Sequence, residues 1–69
     1  MNLKEIGELV KQRRDFLKLR QEDLADLSGT TIKTIHLIEQ GTGNPSFNTL
    51  NRLSIILGLE IEVQVKIHK

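Results

Sequence analysis

The chain has 69 residues, a formal net charge of +1 and no cysteine. That length makes one small domain, which buries only about 60% of the surface its unfolded form exposes. The composition excludes a disulfide framework, a thiolate metal site and an apolar run that could span a bilayer, and two histidines far apart in sequence do not suggest zinc.

The elements follow in chain order. Leu3, Ile6, Val10 and Leu17, with Leu9 and Phe16 beside them, predict a helix over about 2–17. Asn2 can cap it, and Glu5 three residues on suits a capping box. A short helix is predicted over 21–28, with Leu24, Ala25 and Leu27 inward, and Gly29 interrupts it. The next is predicted over 31–40, with Ile32, Ile35 and Ile38 on its buried side. The segment Gln-Gly-Thr-Gly-Asn-Pro-Ser, 40–46, is a loop, since two glycines and an Asn-Pro step disfavour helix. Ser46 can cap a fourth helix that stops at Gly58. On it Leu50, Leu53 and Leu57 share a face, Ile55 points almost opposite, and Ile56 sits at the margin.

The last stretch changes period. Leu59, Ile61, Val63, Val65 and Ile67 alternate with Glu60, Glu62, Gln64, Lys66 and His68, which predicts a strand with one buried face. Nothing upstream reads as a strand to pair with it, and unpaired edges are rarely left open.

Charge is unevenly placed. Lys11, Arg13, Arg14, Lys18 and Arg20 cluster, with Asp15 against them, before acidic Glu22, Asp23 and Asp26. Such asymmetry suits a face for a polyanion; it also suits an ordinary solvated helix. The absence of a signal-peptide pattern points to a soluble cytoplasmic protein. No nucleophile–base set, metal cluster or phosphate loop is visible, so no enzyme, cofactor or membrane partner is expected.

The segment 21–41 carries the motif. Ala25 is small where two helices must approach closely. Gly29 suits a turn that needs a positive φ, and Ile35 faces Leu24 and Ala25 across the corner. Two short helices joined by a Gly turn form a helix-turn-helix, whose second helix enters the DNA major groove.

Leu17, Leu19 to Ala25, Gly29, Ile35, Ile38 to Gly41, Asn44 to Ser46, Thr49, Leu50, Leu57 and Gly58 together carry a resemblance. The chain resembles the Xre/Cro/cI-type helix-turn-helix family of phage and bacterial repressors, over nearly all of 6–59. The resemblance implies a mostly α fold with four to five helices of the lambda-repressor-like DNA-binding type, helical over about 2–58. The ending is similar to the HipB-like antitoxin branch. Its members are small dimers with a C-terminal β-strand, here about 59–67, and many partner a HipA-like kinase toxin. Lys18 departs from a family Gly, and Leu37 from a polar base-reading residue.

Carried over position by position, the resemblance implies base-reading roles for Thr31, Ile32, Lys33 and His36. Lys33 can donate to guanine, and Thr31 to a base or phosphate. Thr31 can also be a helix cap, Ile32 partial core and His36 a solvated residue. Phosphate contacts are implied for Arg20, Gln21, Gln40, Thr42 and Asn44, which otherwise are polar loop chemistry. Arg14 and Glu39 match a pair bridging the first and third helices. A two-fold homodimer on a pseudo-palindromic operator is expected, with the strand paired antiparallel across the axis; the alternatives for the strand are pairing with the residues before Leu3 or addition to a partner protein. Ile56, Ile61, Val63, Val65 and Ile67 would form its interface, and Glu62 would face Lys66 across the ribbon. The function implied is a sequence-specific regulator that represses its own operon, with an antitoxin role in the HipB-like branch. The alternative is a protein-interaction module on the same scaffold, whose main work is binding a toxin or enzyme.

Overall fold

The computed structural model describes residues 1–67. It contains four helices in the order α1 (Leu3–Phe16), α2 (Gln21–Ser28), α3 (Ile32–Gln40) and α4 (Phe47–Leu57). Each begins on a local donor–acceptor exchange. Asn2 Oδ1 accepts the Glu5 N–H at 2.9 Å, and Glu5 Oε1 accepts the Asn2 N–H at 3.1 Å. Thr31 Oγ1 caps α3 through the Thr34 N–H, and Ser46 Oγ caps α4 through the Thr49 N–H, both at 3.1 Å. At α2, Asp23 accepts the Arg20 N–H at 2.8 Å. Arginine has no acceptor to return the bond, so this cap is one-sided.

The core is Val10, Leu24, Ala25, Ile35, Ile38, Leu53 and Leu57, with Ile6, Leu19, Ile56 and Leu59 packed against it. Ala25 and Ile35 are buried where α2 and α3 meet. Gly29 ends α2 at φ 67°, and the Thr30 N–H then closes back on the Ala25 carbonyl at 2.9 Å. That left-handed turn directs α3 across α2. α1 approaches the end of α3 so closely that a Cβ on Gly7 would collide with the Ile38 carbonyl oxygen and lie 3.0 Å from that of Glu39.

Some sequence expectations need correction. Leu27 is 61% exposed and Ile32 50% exposed. At 100° per residue both lie roughly a quarter-turn from the centre of their helix's buried arc, so they flank the core. Leu3, Leu17 and Phe16 are likewise exposed, while Ile55 points to solvent as its angle required. α3 begins at Ile32, with Thr31 outside it as the cap.

Among the described residues there is no fifth helix and no strand: residues 59–67 carry no regular structure. A strand is made by ladder bonds to a neighbour, and most of the backbone before residue 59 is bonded within helices. Leu59 instead ties to α4, its N–H donating to the Ser54 carbonyl at 2.9 Å. The expected interface residues therefore divide. Ile56 packs partly on its own core, and Ile61 is 41% exposed beside α1 and α4. Val63, Val65 and Ile67 are 94%, 88% and 83% exposed. The described chain extends 45 Å along its longest axis against 22 and 19 Å, as a departing tail requires. His68, read as an outward strand residue, lies outside the described residues.

Two substitutions test the backbone reading. Gly7→Ala forces overlap with a helix carbonyl and is expected to cost about 1–3 kcal/mol. Lys18 holds φ 58°, a left-handed conformation that costs a side-chain-bearing residue about 1 kcal/mol or more. Lys18→Gly should therefore raise the melting temperature while Gly7→Ala lowers it, as thermal unfolding followed by circular dichroism will read.

Candidate nucleic-acid interface

The exposed side of α3 is set by the buried one. Ile35 and Ile38 point inward, so Lys33, His36 and Gln40 fall on the opposite arc with Ile32 at its edge, and all four are exposed. Thr31 stands exposed at the N-terminal end of this stripe. Its hydroxyl is already engaged, accepting the Thr34 N–H and bonding the Thr34 hydroxyl at 3.0 Å. Sequence reading missed Thr34 here, although a threonine three residues after a cap is a local signal for such support. Leu37 is half-buried, against a small cavity of about 150 Å³ also lined by Thr34, Thr42, Gly43 and Pro45. It supports the loop and does not stand free on the stripe.

The residues expected at phosphates flank α3 in two groups. Arg20 and Gln21 lie at the start of α2. Gln40, Thr42 and Asn44 lie at the end of α3 and in the loop beyond, and all three are exposed. The groups are neighbours because Gln21 Nε2 donates to Glu39 Oε1 at 3.1 Å. The Gln21 amide is thus bonded internally, while the start of α2 keeps its backbone N–H groups. Thr42 closes the α3 terminus, its N–H and hydroxyl both donating to the Leu37 carbonyl, at 3.0 and 3.3 Å. Arg20 is exposed but paired with Glu22 and, through two guanidinium bonds, with Asp23. Those bonds from Arg20, side chain first and backbone second, hold the Asp23 carboxyl below its usual range. Arg20 must exchange part of this pairing to meet any other anion. The alternation Arg20, Glu22, Asp23 was a legible signal of it.

Beneath this face lies the ion pair between α1 and α3. Arg14 Nε donates to Glu39 Oε2 at 2.6 Å and Arg14 Nη2 to Glu39 Oε1 at 2.9 Å. Arg14 Nη1 donates to the Leu19 carbonyl at 2.8 Å and lies 3.3 Å from Asp15. The two side chains are 11% and 5% exposed. Burial pushes the Glu39 carboxyl up most strongly. The hydrogen bonds from Arg14 and Gln21, with the charges of Arg14 and Lys11, outweigh it and hold the group below its ordinary value. The bond to Glu39 chiefly raises the Arg14 guanidinium further above its already high value. One carboxylate thus joins α1, α2 and α3.

Helices of this length, a left-handed glycine between α2 and α3, and a polar α3 face of this exposure define a helix-turn-helix domain. Residues 10–64 match the helix-turn-helix family model, and the chain belongs to that family. It is similar to the ImmF control region 10 kDa protein of Bacillus phage phi105, at 33% identity over 60 residues, covering 87% of this chain and 67% of that protein. It is also similar to an uncharacterized HTH-type transcriptional regulator of Methanothermobacter thermautotrophicus, at 38% identity over 52 residues, covering 75% of each. No helix among the described residues is long and apolar enough to cross a membrane.

Removing Glu39 takes the bidentate partner from a nearly buried guanidinium and leaves it only the exposed Asp15 carboxylate and the Leu19 carbonyl. Glu39→Ala is expected to cost about 3–5 kcal/mol, read from urea unfolding at neutral pH. The pH dependence has a definite sign. A carboxyl whose folded pKa is lowered contributes stability above its unfolded pKa and loses it as pH falls through the folded value. Acid should therefore destabilise the wild type more steeply than Glu39→Gln. Parallel acid transitions of the two proteins would contradict the assignment.

Proposed function

We propose that the chain is a sequence-specific DNA-binding transcription regulator, acting as a homodimer on a pseudo-palindromic operator and repressing its own operon. The observation that carries this reading is the exposed stripe of Ile32, Lys33 and His36 on α3, with Thr31 at its head and polar groups flanking both ends. A helix so presented can enter a major groove, with its N-terminal residues at base edges. Lys33 reads guanine O6 or N7, His36 bonds a base edge, Thr31 bonds a base or a phosphate, and the Ile32 side chain meets a thymine methyl. The start of α2 offers N–H groups to one phosphate, aided by Arg20, and Gln40, Thr42 and Asn44 hold the strand beyond α3. Control-region and transcriptional-regulator names among the relatives support the regulatory half.

The homodimer is supported by Val63, Val65 and Ile67, an apolar row far more exposed than a solvated tail needs. Paired tails would satisfy each other's backbone groups and cover these residues. A second reading rests on the same row: a protein-interaction module whose tail adds as a strand to a toxin or enzyme, a HipA-like kinase toxin among the candidates.

Selection from a random duplex pool separates the readings. Enrichment of a two-fold symmetric motif is expected, with half-sites about one turn, roughly 34 Å, apart. Lys33→Ala should relax one position of each half-site at a cost of about 1–3 kcal/mol, while Arg20→Ala weakens all sequences alike and lowers the salt slope by about one. No enrichment at low salt would remove the DNA-reading function.

Deleting residues 61–69 is expected to give a helical monomer by sedimentation and circular dichroism. It should lose much of the effective-concentration gain, about 10²–10⁴ in affinity. A truncated chain that stays dimeric at micromolar concentration would show that the tail does not join the subunits.

A further inference from the structure

The tail is not uniform along its length, and the difference bears on how two copies can meet. Leu59 is anchored, its N–H held by the Ser54 carbonyl. Ile61 lies beside an open apolar cavity of about 230 Å³, lined also by Met1, Ile6, Leu9 and Leu50. Beyond it, Val63, Val65 and Ile67 have almost no cover. One chain therefore carries both a partly filled groove at the root of its tail and an uncovered apolar row along the rest.

Resting on the dimer reading above, we propose that two tails pair antiparallel about a two-fold axis through Gln64. The placement comes from charge and from the groove together. In a two-fold antiparallel pair each register has one residue that faces itself. An axis at Glu62 or Lys66 sets two like charges directly opposite, which is destabilising. An axis at Val63 draws Leu59 into the ribbon, although its N–H is already bonded to α4. An axis at Val65 leaves Ile61 without an apolar residue opposite and faces Lys66 with Gln64.

The axis at Gln64 has none of these defects. Glu62 faces the partner's Lys66, and the symmetry repeats that pair at the other end. On the opposite side of the ribbon Val63 faces the partner's Val65, and Ile61 faces the partner's Ile67. Side chains so opposed lie about 5 Å apart. The partner's Ile67 therefore arrives at the rim of the groove that Ile61 lines, and closes it against Met1 and Leu50. Each copy supplies the cover that the other lacks.

The absence of any cysteine in the chain makes the register directly readable. Full-length single-cysteine variants Val63→Cys, Gln64→Cys and Val65→Cys are oxidised with diamide. Their association state is first measured by sedimentation under reducing conditions. On this register Gln64→Cys faces itself and should crosslink fastest. Val63→Cys and Val65→Cys meet themselves only diagonally, at about 7–8 Å, beyond good disulfide geometry, and should form covalent dimer about tenfold more slowly. An equimolar mixture of Glu62→Cys and Lys66→Cys should give the mixed dimer in excess over the two homodimers combined, beyond the even split that random pairing produces. A sedimenting dimer whose fastest crosslink is at Val63→Cys or Val65→Cys overturns the Gln64 axis. A dimer with no preference among the positions overturns tail pairing. A monomer at micromolar concentration overturns the dimer reading on which the register rests.

Discussion

The Arg14–Glu39 pair is the interaction on which the rest of the arrangement depends. Its carboxylate takes bonds from α1 through Arg14 and from α2 through Gln21, while itself belonging to α3. Arg14 carries the connection to the α1–α2 link through the Leu19 carbonyl. A nearly buried charge pair is costly to desolvate, and its net worth against apolar residues of equal volume can be small. Its value here is geometric. Three short helices cannot each bury enough surface to dictate their mutual angle, and a bidentate pair admits few orientations. The exposed stripe on α3 is presented from that junction.

Close backbone approach complements it. Gly7 lets α1 lie against the last turn of α3, and Gly41 does the same one turn on, where a Cβ would come 2.7 Å from Lys4 Cα. At the other end of the domain Arg13 Nε donates to the Leu57 carbonyl at 2.9 Å, its guanidinium 4.9 Å from the Phe16 ring centroid. That bond satisfies a terminal carbonyl of α4, so α1 holds α3 through one arginine and α4 through the preceding one. Around the seven buried apolar residues of the core these polar ties fix the helix ends.

What could be read from the sequence was what is local. The Asn2–Glu5 box, the Ser46 cap, the bounds of α2 and the stops at Gly29 and Gly58 each depend on residues within one turn. Lys18 stood out only as a departure from a family Gly, and its left-handed backbone shows why Gly is favoured there. Periodicity failed at the margins of the buried arc, where Leu27 and Ile32 are apolar yet exposed. Gly7 carried no signal, since its role exists only once α3 lies against α1. Gln21 was read for its place at a helix start, but its amide is held by a carboxylate eighteen residues on. The tail's alternation was plain, yet a strand is a property of two segments, and this chain contains one. The base-reading assignments rest on position in the motif and on exposure, and exposure is what the fold adds to them.

The uncovered tail has a consequence for the chain's life in solution. Val63, Val65 and Ile67 present apolar side chains beside backbone groups that no ladder occupies, the composition of a template for open-ended sheet growth. Glu60, Glu62 and Lys66 interrupt it at every second or fourth residue. Charges at that spacing act as gatekeepers: two strands can tolerate them by pairing opposite signs, but a stack of many identical strands in register would pile like charge upon like charge. The same three residues therefore oppose the in-register stacking of many copies, and protect the newly made protein from fibrous self-association.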